Sequence, residues 1–494
     1  MNGTTAGSLS IRHPDRLFIG GRWVAPVQGG RIDIVNPSTD TVVASVAEAT
    51  APDVDAAVLA ARHAFDSGVW SGLDVAMRAE IIGRIGTELE KRSAELAAAW
   101  TQQVGALAMA APFMVGGAQR AVKFYAGLDA KKLLVEQVPP TDGRGAAIIA
   151  REPAGVVAAI APWNAPLIIL INKTIPALLA GCTVIMKPAP EAPLEAYIIA
   201  EAAEAAGLPA GVLNLVTAHR EAAEQLVRNP GVDKISFTGS TLAGKRIASI
   251  CGERIARCTL ELGGKSAAVV WDDYDIATAA KQLASTIVIS SGQVCATLSR
   301  VLVPRRLQAQ YAEAISAELG AVRVGDPMDP ASQMGPLAMR RQLDRVEGYM
   351  AKGQAEGARL VCGGTRSKHM PKGCYFDPTL FTDVDSRMAI AQEEIFGPVI
   401  ALLAYDDEAD AIRIANDSPY GLFGAVFTHD TDRAYRIARG IRTGALAQNA
   451  FRMDFFLPFG GFKQSGIGRE GGISGLLGYT ETKTILLEAA PTAL

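Results

Sequence analysis

The chain has 494 residues, 49% hydrophobic and 20% charged, with a formal net charge of −3. That length exceeds one small core and predicts two or three domains, and the composition excludes a disordered chain. Without basic runs, nothing favours nucleic acid or a membrane surface as a partner. The six cysteines form no C-x-x-C pair and the five histidines are scattered. Free thiols in a reducing, cytoplasmic setting and no metal centre are therefore expected.

In chain order, Met1 to Arg16 is polar and lacks the apolar stretch of a signal peptide. Asp53 to Leu128 carries apolar residues at helical spacing. Two β-like runs follow, Lys132–Gln137 and Gly145–Ala150, separated by Pro139, Pro140, Asp142 and Gly143. Ala154 to Ile171 is the most membrane-like stretch, but Pro162, Asn164 and Pro166 interrupt it. It reads as a strand, a turn and a helix start buried in protein.

Strand and helix then alternate. Gly155–Ile160, Thr183–Met186, Val212–Val216, Lys234–Phe237 and Cys258–Leu262 read as strands. Leu167–Ala180, Ala192–Ala206, Glu221–Arg228 and Leu242–Ile250 read as helices. Such repeats predict a parallel sheet with helices on both faces and ligands at the carboxyl ends of its strands. A second alternation runs from Ser266–Trp271 to about Asn449, with helices at Ile276–Ser290, Leu307–Leu319 and Asp406–Asn416. The Gly-rich Phe459–Gly472 closes it, and Lys483–Glu488 reads as a last strand. No repeat is visible.

Several positions carry chemistry. Cys295 lies on a loop after Ser290-Ser291-Gly292, where a nucleophile is readily presented; a small buried cysteine is the plainer reading. Glu261 ends an apolar strand before two glycines, which suits a general base; pairing with Lys265 is the alternative. Asn164, between Pro162 and Pro166, is a rigid amide donor suited to an oxyanion, or a turn cap. Phe237-Thr238-Gly239-Ser240 leads into a helix whose N-terminus suits phosphate. Gly239 to Lys245 matches seven positions of the P-loop pattern, but Arg246 stands where magnesium needs Ser or Thr. Lys187 ends a strand before Pro188, where it can reach ribose or phosphate, or simply snorkel.

Taken together, Pro162-Trp163-Asn164, Lys187-Pro188, Phe237–Ser240, Glu261–Lys265, Gly292–Cys295, Glu393–Pro398 and Pro458–Gly461 resemble the aldehyde dehydrogenase superfamily in identity, order and spacing, over nearly the whole chain. The resemblance implies an α/β fold with two parallel-sheet Rossmann-type domains and a small β oligomerisation arm. The cofactor domain would span 1–131 and 152–262, the catalytic domain 263–470, and the arm 132–151 and 478–494. It implies Cys295 as nucleophile, Glu261 as the base for the hydrolytic water, Asn164 in the oxyanion hole and Lys173 near the proton exit. Cofactor contacts would come from Ile160, Ala161, Pro162, Trp163, Lys187, Ala189, Pro190, Phe237, Thr238, Gly239, Ser240, Ala243, Leu262, Gly263, Glu394 and Phe396. The implied cofactor is NAD, with NADP left open, and the implied assembly a homodimer or homotetramer.

The chain departs from the family in places. Pro190 stands where a ribose-binding glutamate is frequent, Glu191 follows, and Arg220 replaces part of a glycine-rich turn. Ala165 replaces a bulky aromatic and Asn172 an apolar residue. With Ile169, Phe451, Met453 and Phe459, these predict a roomy apolar tunnel for an aromatic, terpenoid or medium-chain aldehyde. Arg452 points to a semialdehyde as the alternative. A CoA-acylating enzyme and a non-catalytic scaffold are the other readings; the presence of Glu261, Cys295 and Asn164 argues against both.

Overall fold

The computed structural model describes residues 10–492, so residues 1–9 of the polar N-terminal stretch and the last two residues lie outside the described residues. In the first half the strands are β1 (Leu17–Ile19), β2 (Arg22–Val24), β3 (Gly30–Asn36), β4 (Thr41–Glu48), β5 (Val135–Val138), β6 (Ala146–Pro153), β7 (Val156–Ile160), β8 (Thr183–Lys187), β9 (Leu213–Leu215), β10 (Lys234–Thr238) and β11 (Arg257–Glu261). In the second they are β12 (Ala267–Val270), β13 (Arg300–Pro304), β14 (Arg359–Cys362), β15 (Thr379–Thr382), β16 (Val399–Tyr405), β17 (Gly424–Phe427), β18 (Ala447–Gln448), β19 (Gly466–Ile467) and β20 (Thr480–Leu487).

The first sheet has the order β19-β11-β10-β7-β8-β9-β1-β2, and β11, β10, β7, β8 and β9 run parallel. Every residue of β7 and β8 is buried, as a strand covered on both faces requires. Helices Pro166–Ala180 and Leu194–Ala205 pack on one face, and Ala51–Asp66 and Thr241–Glu253 on the other. The second sheet, β14-β15-β16-β13-β12-β17-β18, is parallel except for β14. Helix Arg340–Ala355 covers one face, and Ile276–Val288 with Gln308–Gly320 the other. A third, antiparallel sheet joins β20, β6 and β5.

Some elements differ from the sequence reading. The run Lys132–Gln137 begins inside a short helix, Ala130–Leu134, and turns to strand only at Val135. The two strand-like runs are thus closer to a helix–hairpin, because Lys131 and Lys132 extend the helical turn into solvent. Helix Ile276–Ser290 stops at Val288; Ser290 and Ser291 take left-handed φ of 46° and 55°. Two edges of the first sheet come from far along the chain: the β1–β2 hairpin, and β19, antiparallel to β11.

Candidate active site

Four adjacent strands of the first sheet, β11-β10-β7-β8, end on the segments singled out from the sequence: Glu261–Gly263, Phe237–Ser240, Ile160–Asn164 and Lys187–Pro190. The carboxyl ends of parallel strands form the crevice where such folds bind ligands. Ser240 caps helix Thr241–Glu253, its hydroxyl accepting from Ala243 N–H at 3.3 Å. The helix therefore opens its first N–H groups at this crevice, which favours an anion there. A Cβ at Gly239 would lie 2.5 Å from the Phe237 ring, and one at Gly244 2.5 Å from Leu262, so both approaches require glycine. Lys187 is buried beside Ala161, whose N–H donates to Lys187 O at 3.1 Å. Burial holds the Lys187 ammonium down to about 8. A buried cation and a capped helix start fit the ribose and pyrophosphate of a dinucleotide. Ala189 is buried beneath this edge and Pro190 half-buried. Glu191 is paired with Arg341 at 2.9 Å, and Arg220 is exposed at a helix start.

The second half supplies the opposing wall. Gly264 N–H donates to Glu394 Oε1 at 3.0 Å, and a Cβ on Gly263 would strike the same carboxylate at 2.4 Å. Burial pushes Glu394 up to about 7. The Phe396 ring stands edge-on to Trp163, centroids 5.3 Å apart.

Cys295 follows the left-handed turn at Ser290 and Ser291. Ser291 Oγ donates to Gly335 O (2.8 Å) and Pro336 O (3.0 Å), and Gln293 Oε1 accepts from Ala338 N–H at 3.0 Å. These bonds offset the roughly 1–3 kcal/mol such backbone conformations cost. A Cβ on Gly264 would lie 2.3 Å from Cys295 O, so the backbone of the cysteine loop rests directly on the segment that follows β11. Asn164 is buried, and its Nδ2 donates to Gln293 O at 2.9 Å, two residues before the cysteine. Trp100 Nε1 donates to Asn164 O at 2.9 Å, fixing the amide from behind. Burial pushes Cys295 up to about 12, reinforced by Glu394 and Glu261.

Glu261 is buried, and neither carboxylate oxygen has a hydrogen-bond partner. Lys265 Nζ is also unpartnered and buried, so the two do not pair. Burial, then the charge of Glu470, raises Glu261 well above the usual carboxylate range. A Cβ on Gly460 would come within 2.6 Å of Glu261 Oε1; glycine leaves that side of the carboxyl open. Ala165 and Ile169 pack against the core of the first sheet. Phe451, Met453 and Phe459 pack with Cys295 against that of the second, and Phe451 meets Phe423 edge-on at 5.4 Å. Arg452 is exposed beside them.

The profile of the Aldehyde dehydrogenase family matches residues 23–485. The chain belongs to the aldehyde dehydrogenase family. It is 41% identical over 484 residues to geranial dehydrogenase of Castellaniella defragrans, covering 97% of this chain and all of that one. It is 39% identical over 484 residues to a 3-succinoylsemialdehyde-pyridine dehydrogenase of a Pseudomonas species, covering 96% and 99%. Its fold matches aldehyde dehydrogenase C of Pseudomonas syringae, solved with NAD+ and octanal, with a TM-score of 0.93, 40% identity and 99% of both chains covered. The architecture is the aldehyde dehydrogenase fold, and the protein is an aldehyde dehydrogenase.

Three buried residues without a local sequence signal brace this region of the aldehyde dehydrogenase: Glu470, Arg300 and Ser465. Glu470 forms a buried ion pair with Lys173, and Ser236 Oγ donates to Glu470 Oε1 at 3.2 Å. Arg300, fully buried, donates to Lys265 O at 2.9 Å and to Ile414 O and Ala415 O, anchoring the segment after Glu261. Ser465 O accepts from Leu262 N–H at 2.8 Å, and Ser465 Oγ donates to Gly263 O at 2.7 Å. Only the glycines around Glu470 and Ser465 hinted at close packing there. Lys173→Met leaves the Glu470 charge buried and unpaired, a cost of about 3–5 kcal/mol. The expected result is a clear fall in the denaturant midpoint, largely restored in the Lys173→Met/Glu470→Gln double variant. Equal midpoints for the wild type and the single variant would remove the pair from the account.

Proposed function

We propose that this enzyme oxidises an apolar aldehyde, of aromatic, terpenoid or medium-chain type, to its carboxylic acid through a thioester on Cys295, with NAD+ as acceptor and water as the acyl acceptor. The observation that carries this reading is the setting of one loop. The Asn164 amide is fixed against the backbone two residues before Cys295, and Gly264, three residues after Glu261, lies directly against the Cys295 backbone carbonyl.

Cys295 gives its thiol proton to a solvent water, Sγ attacks the aldehyde carbon, and the carbonyl oxygen becomes an alkoxide. Asn164 Nδ2 and the Cys295 N–H stabilise that charge. A nicotinamide dinucleotide held at these strand ends would supply the acceptor for the hydride of the Cys295 adduct, whose loss leaves a thioester on Cys295. Lys187 would hold its ribose, Gly239, Ser240 and Ala243 its pyrophosphate with Ile160 and Trp163, and Glu394 and Phe396 its nicotinamide end. Ala161, Pro162, Ala189, Pro190, Phe237, Thr238, Leu262 and Gly263 line the same strand ends. Glu261 takes a proton from the water that hydrolyses the thioester, and Lys173 with Glu470 leads that proton outward.

Ala165, Ile169, Phe451, Met453 and Phe459 form the proposed aldehyde tunnel. The geranial dehydrogenase and the octanal complex support this substrate class. Each buried methylene contributes about 0.8 kcal/mol. From acetaldehyde to octanal kcat/KM is expected to rise on the order of 10²–10³-fold. A steady-state series on linear aldehydes, with citral and benzaldehyde alongside, tests this; a preference for acetaldehyde sinks it. The second reading is a carboxylated semialdehyde, supported by exposed Arg452 on the Phe451–Met453 segment and by the semialdehyde dehydrogenase relative. The same panel with succinic semialdehyde separates them.

The domain division given above (1–131 with 152–262, 263–470, 132–151 with 478–494) and the use of the β5-β6-β20 sheet for homo-oligomerisation belong to this proposal. Leu486, 72% exposed on β20, supports the latter.

A further inference from the structure

Lys265 closes the segment Glu261-Leu262-Gly263-Gly264-Lys265 and is 2% exposed, yet its Nζ has no hydrogen-bond partner among the described residues. A buried ammonium is costly unless something offsets it. Its backbone is fixed in place. Arg300 Nε donates to Lys265 O at 2.9 Å, and the rest of that guanidinium donates to the carbonyls of Ile414, Ala415 and Asp417. Arg300 thus anchors the lysine without neutralising it.

Lys265 lines a small cavity together with Thr297, Ser299 and Glu394. The cavity has about 10 Å³ of room for the centre of a water molecule, close to what one ordered water needs. Thr297 is buried, and its Oγ1 is also without a partner among the described residues. Glu394 is locked beside the lysine. Its Oε1 accepts from the N–H of Gly264, the residue before Lys265, at 3.0 Å, and a Cβ on Gly263 would strike its Oε2. The other charged groups nearby have partners of their own. Arg345 donates to the Glu394 and Ile395 carbonyls, and Glu393 is held by Tyr349 at 2.8 Å and Lys352 at 3.3 Å. Burial raises both the Cys295 thiol and the Tyr420 phenol, so neither is charged near neutral pH. Burial holds Lys265 down to about 7, Arg300 adds to this, and Glu394 opposes it. Burial raises Glu394, and the Gly264 N–H, Arg345 and Lys265 lower it.

We infer that Lys265 is a positioning residue that keeps the Glu394 carboxylate ionised across this cavity, one water carrying the hydrogen bond from Nζ to the carboxylate. An ionised Glu394 accepts at both oxygens, as the ribose hydroxyls on the nicotinamide side of a dinucleotide require; a protonated one gives up part of that capacity. This role in cofactor binding rests on Glu394 facing that ribose, as proposed above. Removing Lys265 takes away a counter-charge and leaves the burial, so the Glu394 carboxyl rises further and stays neutral until the pH passes the raised value.

Infrared difference spectra of the cofactor-free enzyme at pH 8 test the pair directly. Lys265→Met against Lys265→Met/Glu394→Gln is expected to show the carbonyl band of one protonated carboxyl, fading as pH rises, and wild type against Glu394→Gln to show none. Lys265→Gln, which keeps a donor but no charge, is expected to give the same band. Fluorescence titration with NAD+ is expected to place both Lys265 variants about tenfold below wild-type affinity at pH 7, recovering to within about threefold by pH 9.5. AMP, which carries only the adenosine end, is expected to bind all forms alike. A protonated-carboxyl band in the wild type at pH 8, or none in either Lys265 variant, overturns the inference whatever the cofactor does. An affinity loss equal at every pH, or shared by AMP, reduces Lys265 to a structural role and overturns it too. The expected bands with NAD+ affinity unmoved in Glu394→Gln and in both Lys265 variants would instead remove Glu394 from the nicotinamide ribose, and the positioning role with it.

Discussion

Cys295→Ser lowers aldehyde oxidation by about 10⁴-fold or more while dinucleotide binding stays within about twofold. A serine hydroxyl of the same shape holds its proton more tightly than even this buried thiol and is a weaker nucleophile, and its ester is a poor substitute for the thioester. The left-handed turn is held by the Ser291 and Gln293 side chains and the Gly264 contact by the backbone of Cys295, none of which uses the Cys295 thiol, so the loop keeps its place in the variant. Reduced-nicotinamide absorbance with octanal reads the first quantity, and quenching of protein fluorescence by NAD+ the second. Residual turnover above about one-hundredth of the wild type would remove Cys295 from the role of nucleophile.

Glu261→Gln separates the two halves of the reaction. Acylation does not need a base for water, so a burst of close to one reduced nicotinamide per site is expected. Steady-state turnover then falls by about 10²–10⁴-fold, the range for loss of a general base. Because burial and Glu470 raise Glu261, its carboxyl is neutral at low pH and becomes a base only as pH rises through that elevated value. Wild-type deacylation therefore increases with pH, and Glu261→Gln loses that increase. Rapid-mixing traces from pH 6 to 9 check both statements. An absent burst, or an unchanged pH slope in the variant, would place the hydrolytic base elsewhere. Rescue of wild-type turnover only by added CoA would point to acyl transfer instead.

Much of this was readable before the structure. The alternation from Gly155 to Leu262 gives the parallel strands of the first sheet, because buried strands and helices there are long enough to show their periods. The family resemblance brought Asn164, Glu261 and Cys295 together; their separate local patterns were each open to a plainer reading. Three features left no local trace. β19 and β1 are two and three residues long, too short for alternation to register. Ser290 and Ser291 extend an apparently helical run, and their left-handed turn is held by carbonyls of Gly335 and Pro336. Glu470 pairs with Lys173 across 297 residues of sequence, a distance at which no spacing rule applies.

The proposed ribose and pyrophosphate contacts lie at the strand ends of the first sheet, with Glu394 and Phe396 of the second half opposite them, while Phe451, Met453 and Phe459 pack on the second sheet. Phe451, Met453 and Phe459 share the hydrophobic layer of Cys295, whereas Ile160 and Phe237 belong to a layer of the first sheet. On the proposed roles, substitutions in the 451–459 segment are expected to redraw the aldehyde preference while leaving the contacts at Ile160, Lys187 and Gly239 in place. Fine control of hydride transfer, by contrast, must be sought at the seam, where Gly264, Glu394 and Ser465 hold the two halves in register.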